Sequence, residues 1–252
     1  MPSKGTWVVI EGIAGSGKTT LLDRARDRLL SKQIAIFEQI HASKSSGVIP
    51  EWSALPHPPK VLFTYEPTHA WIGQALRSEL FRMDQPYNTL EIAHAFALDR
   101  HILAKRLLHP ALEAGAFVLQ SRSFCSSLIY QADLDHTLST EEILSLPGNT
   151  NALRHPPDHL IFFDLHPDVA WDRTHERQTE NKGTFSEDRA RLELWHARMH
   201  DPAYRALFES WGTQVHYLDT GLDLDITTDA FFALLHTIAP SPLCNVFSPL
   251  VN

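Results

Sequence analysis

Cysteine is nearly absent from this chain. Cys125 and Cys244 are the only two among 252 residues, too few and too far apart for a disulfide framework or a thiolate zinc site. That scarcity suits a reducing compartment, and the cytoplasm is the expected setting. No apolar run approaches the roughly 20 residues that span a bilayer, and no basic-then-apolar leader opens the chain, so neither a membrane partner nor a secretory signal is expected. Cations are in the minority: 22 Lys and Arg against 30 Asp and Glu leave a formal charge of −8. A nucleic-acid backbone is therefore not the expected partner, although a few local cations suffice for a small anionic ligand. The fifteen histidines are many, yet no pair is read as metal-ligating beside a carboxylate or thiolate, and most are expected at the surface. Apolar content of 43% is enough to fill one α/β domain spanning residues 1–252.

The most informative run is Gly12-Ile13-Ala14-Gly15-Ser16-Gly17-Lys18-Thr19, which fits the phosphate-loop pattern G-x-x-x-x-G-K-[ST]. Trp7-Val8-Val9-Ile10 enters it as a buried strand would. Leu21, Leu22, Ala25 and Leu29 leave it at helical spacing. The chemistry needs that order. Glycines let successive N–H groups turn inward, and a helix N-terminus adds the positive end of its dipole. Lys18 is then placed for the β- and γ-phosphates of a nucleoside triphosphate, and the Thr19 hydroxyl for Mg2+.

Apolar runs alternate with helical patterns along the rest of the chain, as in a parallel sheet with right-handed crossovers. Strands are expected at Trp7–Glu11, Val61–Tyr65, Ala116–Gln120, Leu160–Leu165 and Val215–Leu218, with Ile34–Phe37 as an early opening of the second. Helices are expected near Lys18–Leu30, Ile72–Leu80, Leu90–Ala114, Pro167–Arg177, Arg189–Trp211 and Thr227–Ile238. Glu38–Lys60 reads as an irregular insertion, Asp133–Pro157 as loop-rich, and residues 240–252 as an irregular tail. The segment 173–188 carries Arg173, Arg177, Lys182 and Gly183. A basic, glycine-containing connection there reads as a lid that delivers an arginine to the transferring phosphate.

Three classes of triphosphate-using protein are weighed. A GTPase needs N-K-x-D, and Asn181-Lys182-Gly183-Thr184 lacks the aspartate. Leu160-Ile161-Phe162-Phe163-Asp164 resembles the acid-tipped strand of motor ATPases, which usually belong to larger chains. A small-molecule kinase needs only the loop, a lid and an acceptor pocket, and this length suits it.

The chain resembles the thymidylate kinase family from Trp7 to about Ile238. The matching stretches are Trp7–Thr20, Tyr65-Glu66-Pro67 leading into Ile72-Gly73-Gln74-Ala75-Leu76-Arg77, Ala95–Arg100, Arg122 with Ser126–Gln131, and Pro157–Asp164. The resemblance implies a P-loop NTPase fold with a five-stranded parallel sheet in the order 2-3-1-4-5, flanked by helices. It implies ATP-dependent conversion of dTMP to dTDP, with ATP held by residues 12–19 and Thr20. It also implies that Phe96 and Arg100, one helical turn apart, read thymine, and that Arg122, with Arg77 beside it, binds the acceptor phosphate. Ser127 then faces the base, Tyr130 the sugar C2′, and Glu66 is the acid of the site. A homodimer through residues 90–114 follows from the same resemblance.

Three departures from the family pattern stand out. Ser121 replaces the usual aspartate before Arg122, Ala14 replaces an acid in the phosphate loop, and Tyr65 stands where bacterial members often show arginine. Glu66, with Asp164, remains to position magnesium through water. Two alternatives therefore stay open. Glu66-Pro67-Thr68-His69-Ala70-Trp71 and Ser121-Arg122-Ser123 also resemble deoxynucleoside kinases, in which a carboxylate activates a 5′-hydroxyl. A diverged nucleotide-binding homologue with weak or no activity is the other.

Overall fold

The computed structural model describes residues 4–80, 86–132, 138–178 and 189–248, and gives no side-chain detail for 176–178. Six strands, β1 (Thr6–Glu11), β2 (Ile36–Glu38), β3 (Val61–Tyr65), β4 (Phe117–Ser121), β5 (His159–Asp164) and β6 (Gln214–Asp219), form one sheet. Their order is β2-β3-β4-β1-β5-β6, and every pair is parallel. Helices α1 (Lys18–Ser31), α2 (Gln39–Ser46), α3 (Trp71–Ala75), α4 (Thr89–Leu103), α5 (His109–Glu113) and α6 (Phe124–Tyr130) occupy the first half of the chain. They are followed by α7 (Thr140–Ser145), α8 (Pro147–Leu153), α9 (Pro167–Gln178), α10 (Arg189–Met199), α11 (Pro202–Ser210) and α12 (Leu224–Ile238).

The central strands read as nearly unbroken apolar runs because helices cover both faces of the sheet. Side chains alternate with the pleat. Trp7, Val9, Leu62, Val118 and Phe162 enter one buried cluster, and Val8, Ile10, Phe63, Leu119 and Phe163 enter the other. The P-loop sheet expected from sequence is present, with six strands rather than five. Ile36–Glu38 does not extend the second strand; it pairs with Val61–Phe63 as a separate edge strand. Three half-buried residues are too few to show a period of two.

The expected helix over 189–211 is two helices. Pro202 has no N–H to continue α10, and the Asp201 carboxylate caps α11 through the Ala203 N–H at 2.8 Å. The stretches read as irregular also hold helices: α2 within 38–60, and α7 and α8 within 133–157. Gly148 lets α8 lie against α4, since a Cβ there would fall 1.7 Å from the Ala97 carbonyl oxygen. The tail contributes a 3-10 turn at Leu243–Phe247 whose Val246 and Phe247 are buried. Arg28 of α1 donates to the carbonyls of Val246 (2.9 Å) and Ser248 (2.6 Å).

The carboxyl ends of β1, β3, β4 and β5 lie side by side where the strand order reverses, the place an open α/β sheet offers a ligand. Glu11, Tyr65, Ser121 and Asp164 are the last residues of these strands.

Candidate active site

The phosphate loop connects β1 to α1 as its pattern requires. Gly12 (φ 152°) and Gly15 (φ 76°) hold backbone conformations that side chains rarely adopt. A Cβ on Gly12 would also come within 2.6 Å of Ser16 Oγ and 2.8 Å of the Phe163 carbonyl oxygen. Lys18 Nζ lies over the loop, donating to the carbonyls of Gly12 (2.6 Å) and Ile13 (2.8 Å) and to Ser16 Oγ (3.1 Å). The ammonium is thereby held where successive loop N–H groups and the start of α1 meet. Thr19 is exposed in the first helical turn.

A cleft of about 480 Å3 opens above the loop. Residues Ala14 to Thr20 line it, together with Ile40, Lys44, Tyr65, Glu66, His69, Arg77, Ser121 and Arg122. The structure thus brings the loop together with Glu66, Arg77 and Arg122. Arg122 has φ 66° and its N–H bonds the Ile10 carbonyl at 3.0 Å, which turns the chain sharply off β4 beside β1. Its guanidinium lies 5.0 Å from the centre of the Tyr130 ring and 3.5 Å from Ser126 Oγ. Arg77 donates to the carbonyls of Pro67 and Thr68. His69 is pushed down to about 4, by burial first and then by the Arg77 and Lys44 charges, so it is neutral at pH 7. Cations at neutral pH therefore come from lysine and arginine. Tyr65 is held protonated above the usual phenol range by burial and by Glu38.

Phe96, Arg100, Ser127 and Tyr130 do not line this cleft. Arg100 is buried behind Glu66. Its Nε donates to Glu66 Oε2 at 2.8 Å, Nη1 to Asn149 Oδ1, and Nη2 to the Ser123 carbonyl (3.1 Å) and Ser127 Oγ (3.4 Å). Phe96 is partly buried on α4, one turn before Arg100. Tyr130 Oη donates to the Gly12 carbonyl at 2.9 Å, tying α6 to the phosphate loop. Arg173 reaches the loop as well, donating to the carbonyls of Gly15 (3.4 Å) and Thr220 (3.2 Å). Residues 179–188 of the expected lid, and the side chain of Arg177, lie outside the described residues.

Two buried carboxyl groups lie near the cations. Burial pushes Glu66 up to about 7, against the Arg100 charge, and Asp99 and Glu11 push the same way. Gln120 Nε2 fixes its other oxygen at 2.8 Å. Glu11, fully buried, accepts from the Ser123 N–H at 2.9 Å and from Ser126 Oγ at 2.7 Å. Its pKa is raised by burial, while the charges of Arg122 and Lys18 favour the ionised form. Sequence reasoning singled out neither Glu11 nor Gln120. The available signal for Glu11 was an acid ending an otherwise apolar strand directly before the glycine loop.

Asp164 is not among the residues lining the cleft. Its carboxylate instead accepts from His196 and His200.

The model of the thymidylate kinase family matches residues 55–221. Among proteins of known name, one called thymidylate kinase from Halalkalibacterium halodurans is 26% identical over 90% of this chain and 95% of its own. Thymidylate kinases of Leptospira borgpetersenii (33% identical, 75% of this chain and 77% of the relative) and Synechococcus sp. (30%, 70% and 74%) are also similar. With a phosphate loop, a facing arginine and matches of this extent, the chain belongs to the thymidylate kinase family.

Proposed function

We propose that this cleft transfers the γ-phosphoryl group of ATP to dTMP, giving dTDP and ADP. The observation that carries this reading is that Lys18 and Arg122 line one cavity. A monophosphate acceptor is already an anion, so it needs neutralisation and alignment rather than deprotonation. Arg122, with Arg77 nearby, supplies the charge. An acceptor phosphate oxygen attacks the γ-phosphorus in line, the β–γ bridging bond breaks, and ADP leaves with the bridging electron pair. Loop N–H groups and Lys18 neutralise the donor oxygens as charge builds on the leaving group. Arg173, braced on the Gly15 and Thr220 carbonyls, supports the loop from α9. Phe96, Arg100 and Ser127 are assigned to the thymine side and Tyr130 to the sugar, with Arg100 shaping the pocket through Glu66. Arg177 is assigned as a cation that approaches the transferring group.

Magnesium fits this donor set. The exposed Thr19 hydroxyl and the Glu66 carboxylate lie on the same cleft, and an oxygen-plus-water environment suits that ion. Bound there, it would neutralise phosphate charge. Ser121 and Ala14 remove two acids expected of the family, and the buried Glu11 and Glu66 are the carboxyl groups left near the cations.

Residues 1–252 are proposed to act as one catalytic unit. A homodimer through α4 is supported by Leu90 and Leu98, which are 44% and 48% exposed and lie two turns apart on that helix. A reducing cytoplasm is supported by the two free cysteines, and no helix among the described residues is long and apolar enough to cross a membrane.

A coupled ADP-release assay offering dTMP, its ribose and cytosine analogues, and free thymidine tests the assignment. The expected result is preference for dTMP. Preference for thymidine would transfer the case to a nucleoside kinase, with Glu66 as base, and no turnover of any acceptor would overturn catalysis.

A further inference from the structure

We propose that Asp164, His196 and His200 form a binding site for a borderline divalent metal ion of the zinc class, distinct from the nucleotide cleft. No metal site was expected from the histidines in the sequence; the fold creates one by bringing β5 against α10.

The three donor atoms already stand as ligands would. His196 Nε2 is 2.8 Å and His200 Nε2 3.0 Å from Asp164 Oδ1, and all three atoms lie within 4.8 Å of one another. Bonds of roughly 2.0–2.2 Å to one ion place neighbouring ligands about 3 to 3.5 Å apart. The helical path continues just past α10, because the His200 N–H still bonds the His196 (3.3 Å) and Ala197 (3.1 Å) carbonyls. Both rings therefore share one face at a spacing of four.

The donors are also held in place. The Asp164 carbonyl accepts from the Thr220 N–H at 2.8 Å and from Thr220 Oγ1 at 2.9 Å, fixing the end of β5. Tyr217 stacks on His200 with centroids 5.0 Å apart, and its hydroxyl donates to the Met199 carbonyl at 2.8 Å. Leu192, Trp195 and Met199 anchor the adjoining face of α10 in the core. On the open side the side chains of His196, Asp164 and His200 are 25%, 32% and 39% exposed, which leaves room for water ligands.

Two imidazole nitrogens and one carboxylate oxygen favour zinc, cobalt or nickel over magnesium. Binding would replace the hydrogen bonds now made between Oδ1 and the two Nε2 atoms, with each neutral imidazole carrying its proton on Nδ1. It would also tie α10, the first helix after residues 179–188, to the central sheet.

Co2+ titration of tag-free protein, without nucleotide or Mg2+, tests the site by calorimetry and visible absorption. The expected result is saturable uptake of one Co2+ per chain, displaced by Zn2+ and not by excess Mg2+. His200→Ala and His196→Ala should each weaken it roughly tenfold or more. His216→Gln removes the close pair that His216 makes with His159 (3.2 Å) and should leave affinity unchanged. Zn2+ should raise the Tm of the wild type and not of His200→Ala, an exposed position whose change leaves the core intact. Absence of saturable uptake, wild-type affinity in both histidine variants, or loss of uptake in His216→Gln would overturn the proposal. None of these readouts depends on turnover.

Discussion

Replacing Arg100 by Met tests the buried network under the acceptor side of the cleft. The side chains of Arg100 and Glu66 are only 4% and 5% exposed and meet at 2.8 Å. Removing the guanidinium leaves Glu66 Oε2, Asn149 Oδ1 and the Ser123 carbonyl without that donor. Breaking a buried pair from one side costs about 3–5 kcal/mol, a large part of the ~5–15 kcal/mol that keeps a protein folded. The cost depends on pH, and its sign follows from Glu66. Its folded pKa, about 7, is raised from 4.5, so its contribution to stability is full below the unfolded value and declines as pH rises through 7. Because Arg100 lowers that pKa, the variant's Glu66 titrates higher still. At pH 8 the wild type pairs an ionised Glu66 with Arg100, whereas the variant must keep Glu66 protonated or hold an uncompensated carboxylate, while at pH 6 the folded forms of both proteins carry a protonated one. Urea midpoints at the two pH values should show a deficit of about 3–5 kcal/mol at pH 8. The deficit should narrow at pH 6, by up to ~1.4 kcal/mol, because pH 8 lies about one unit above the wild-type Glu66 pKa. A deficit below about 1 kcal/mol at pH 8, or one independent of pH, would refute the coupling.

Lys18→Ala should lower kcat by orders of magnitude in a coupled assay while the urea midpoint stays near that of the wild type. Arg122→Ala should raise the KM for dTMP much more than that for ATP; equal effects in the same assay would remove it from the acceptor phosphate. With Glu66 ionised form required, kcat/KM for dTMP should fall as pH drops through about 7, and Glu66→Gln should lose that limb while keeping one near ~6 from the substrate phosphate. Gly148→Ala should destabilise the protein by ~1–3 kcal/mol or more, read from its melting curve, because the new methyl overlaps the Ala97 carbonyl.

The elements legible in the sequence are those whose signal is local. Trp7–Ile10, the glycine loop and α1 announce themselves within twenty residues, and Asp201-Pro202 marked a helix break that apolar periodicity alone smoothed over. The short edge strand Ile36–Glu38 and helix α2 carried no such signal, since the three serines and His41 in α2 have weak helix propensity and tertiary contacts decide its state. The polar network was hidden for a different reason. Glu66 meets Gln120 across 54 positions and Arg100 meets Asn149 across 49, and a neutral amide inside an apolar strand looks like an imperfection until its partner is in view. Phe96 and Arg100 were readable as a helical pair, whereas the burial of Arg100 behind Glu66 required the fold. Asp164 likewise lies 32 and 36 residues from its two histidines.

The account rests on a phosphoryl group passing from a donor held by Lys18 to an acceptor phosphate facing Arg122. Phosphorus NMR of the protein with ATP, Mg2+ and dTMP follows that transfer directly. The predicted result is loss of the ATP γ-phosphorus signal as the β-phosphorus of dTDP grows, with no such conversion by Lys18→Ala. An unchanged dTMP signal while ATP is consumed, or equal conversion by Lys18→Ala, would contradict it.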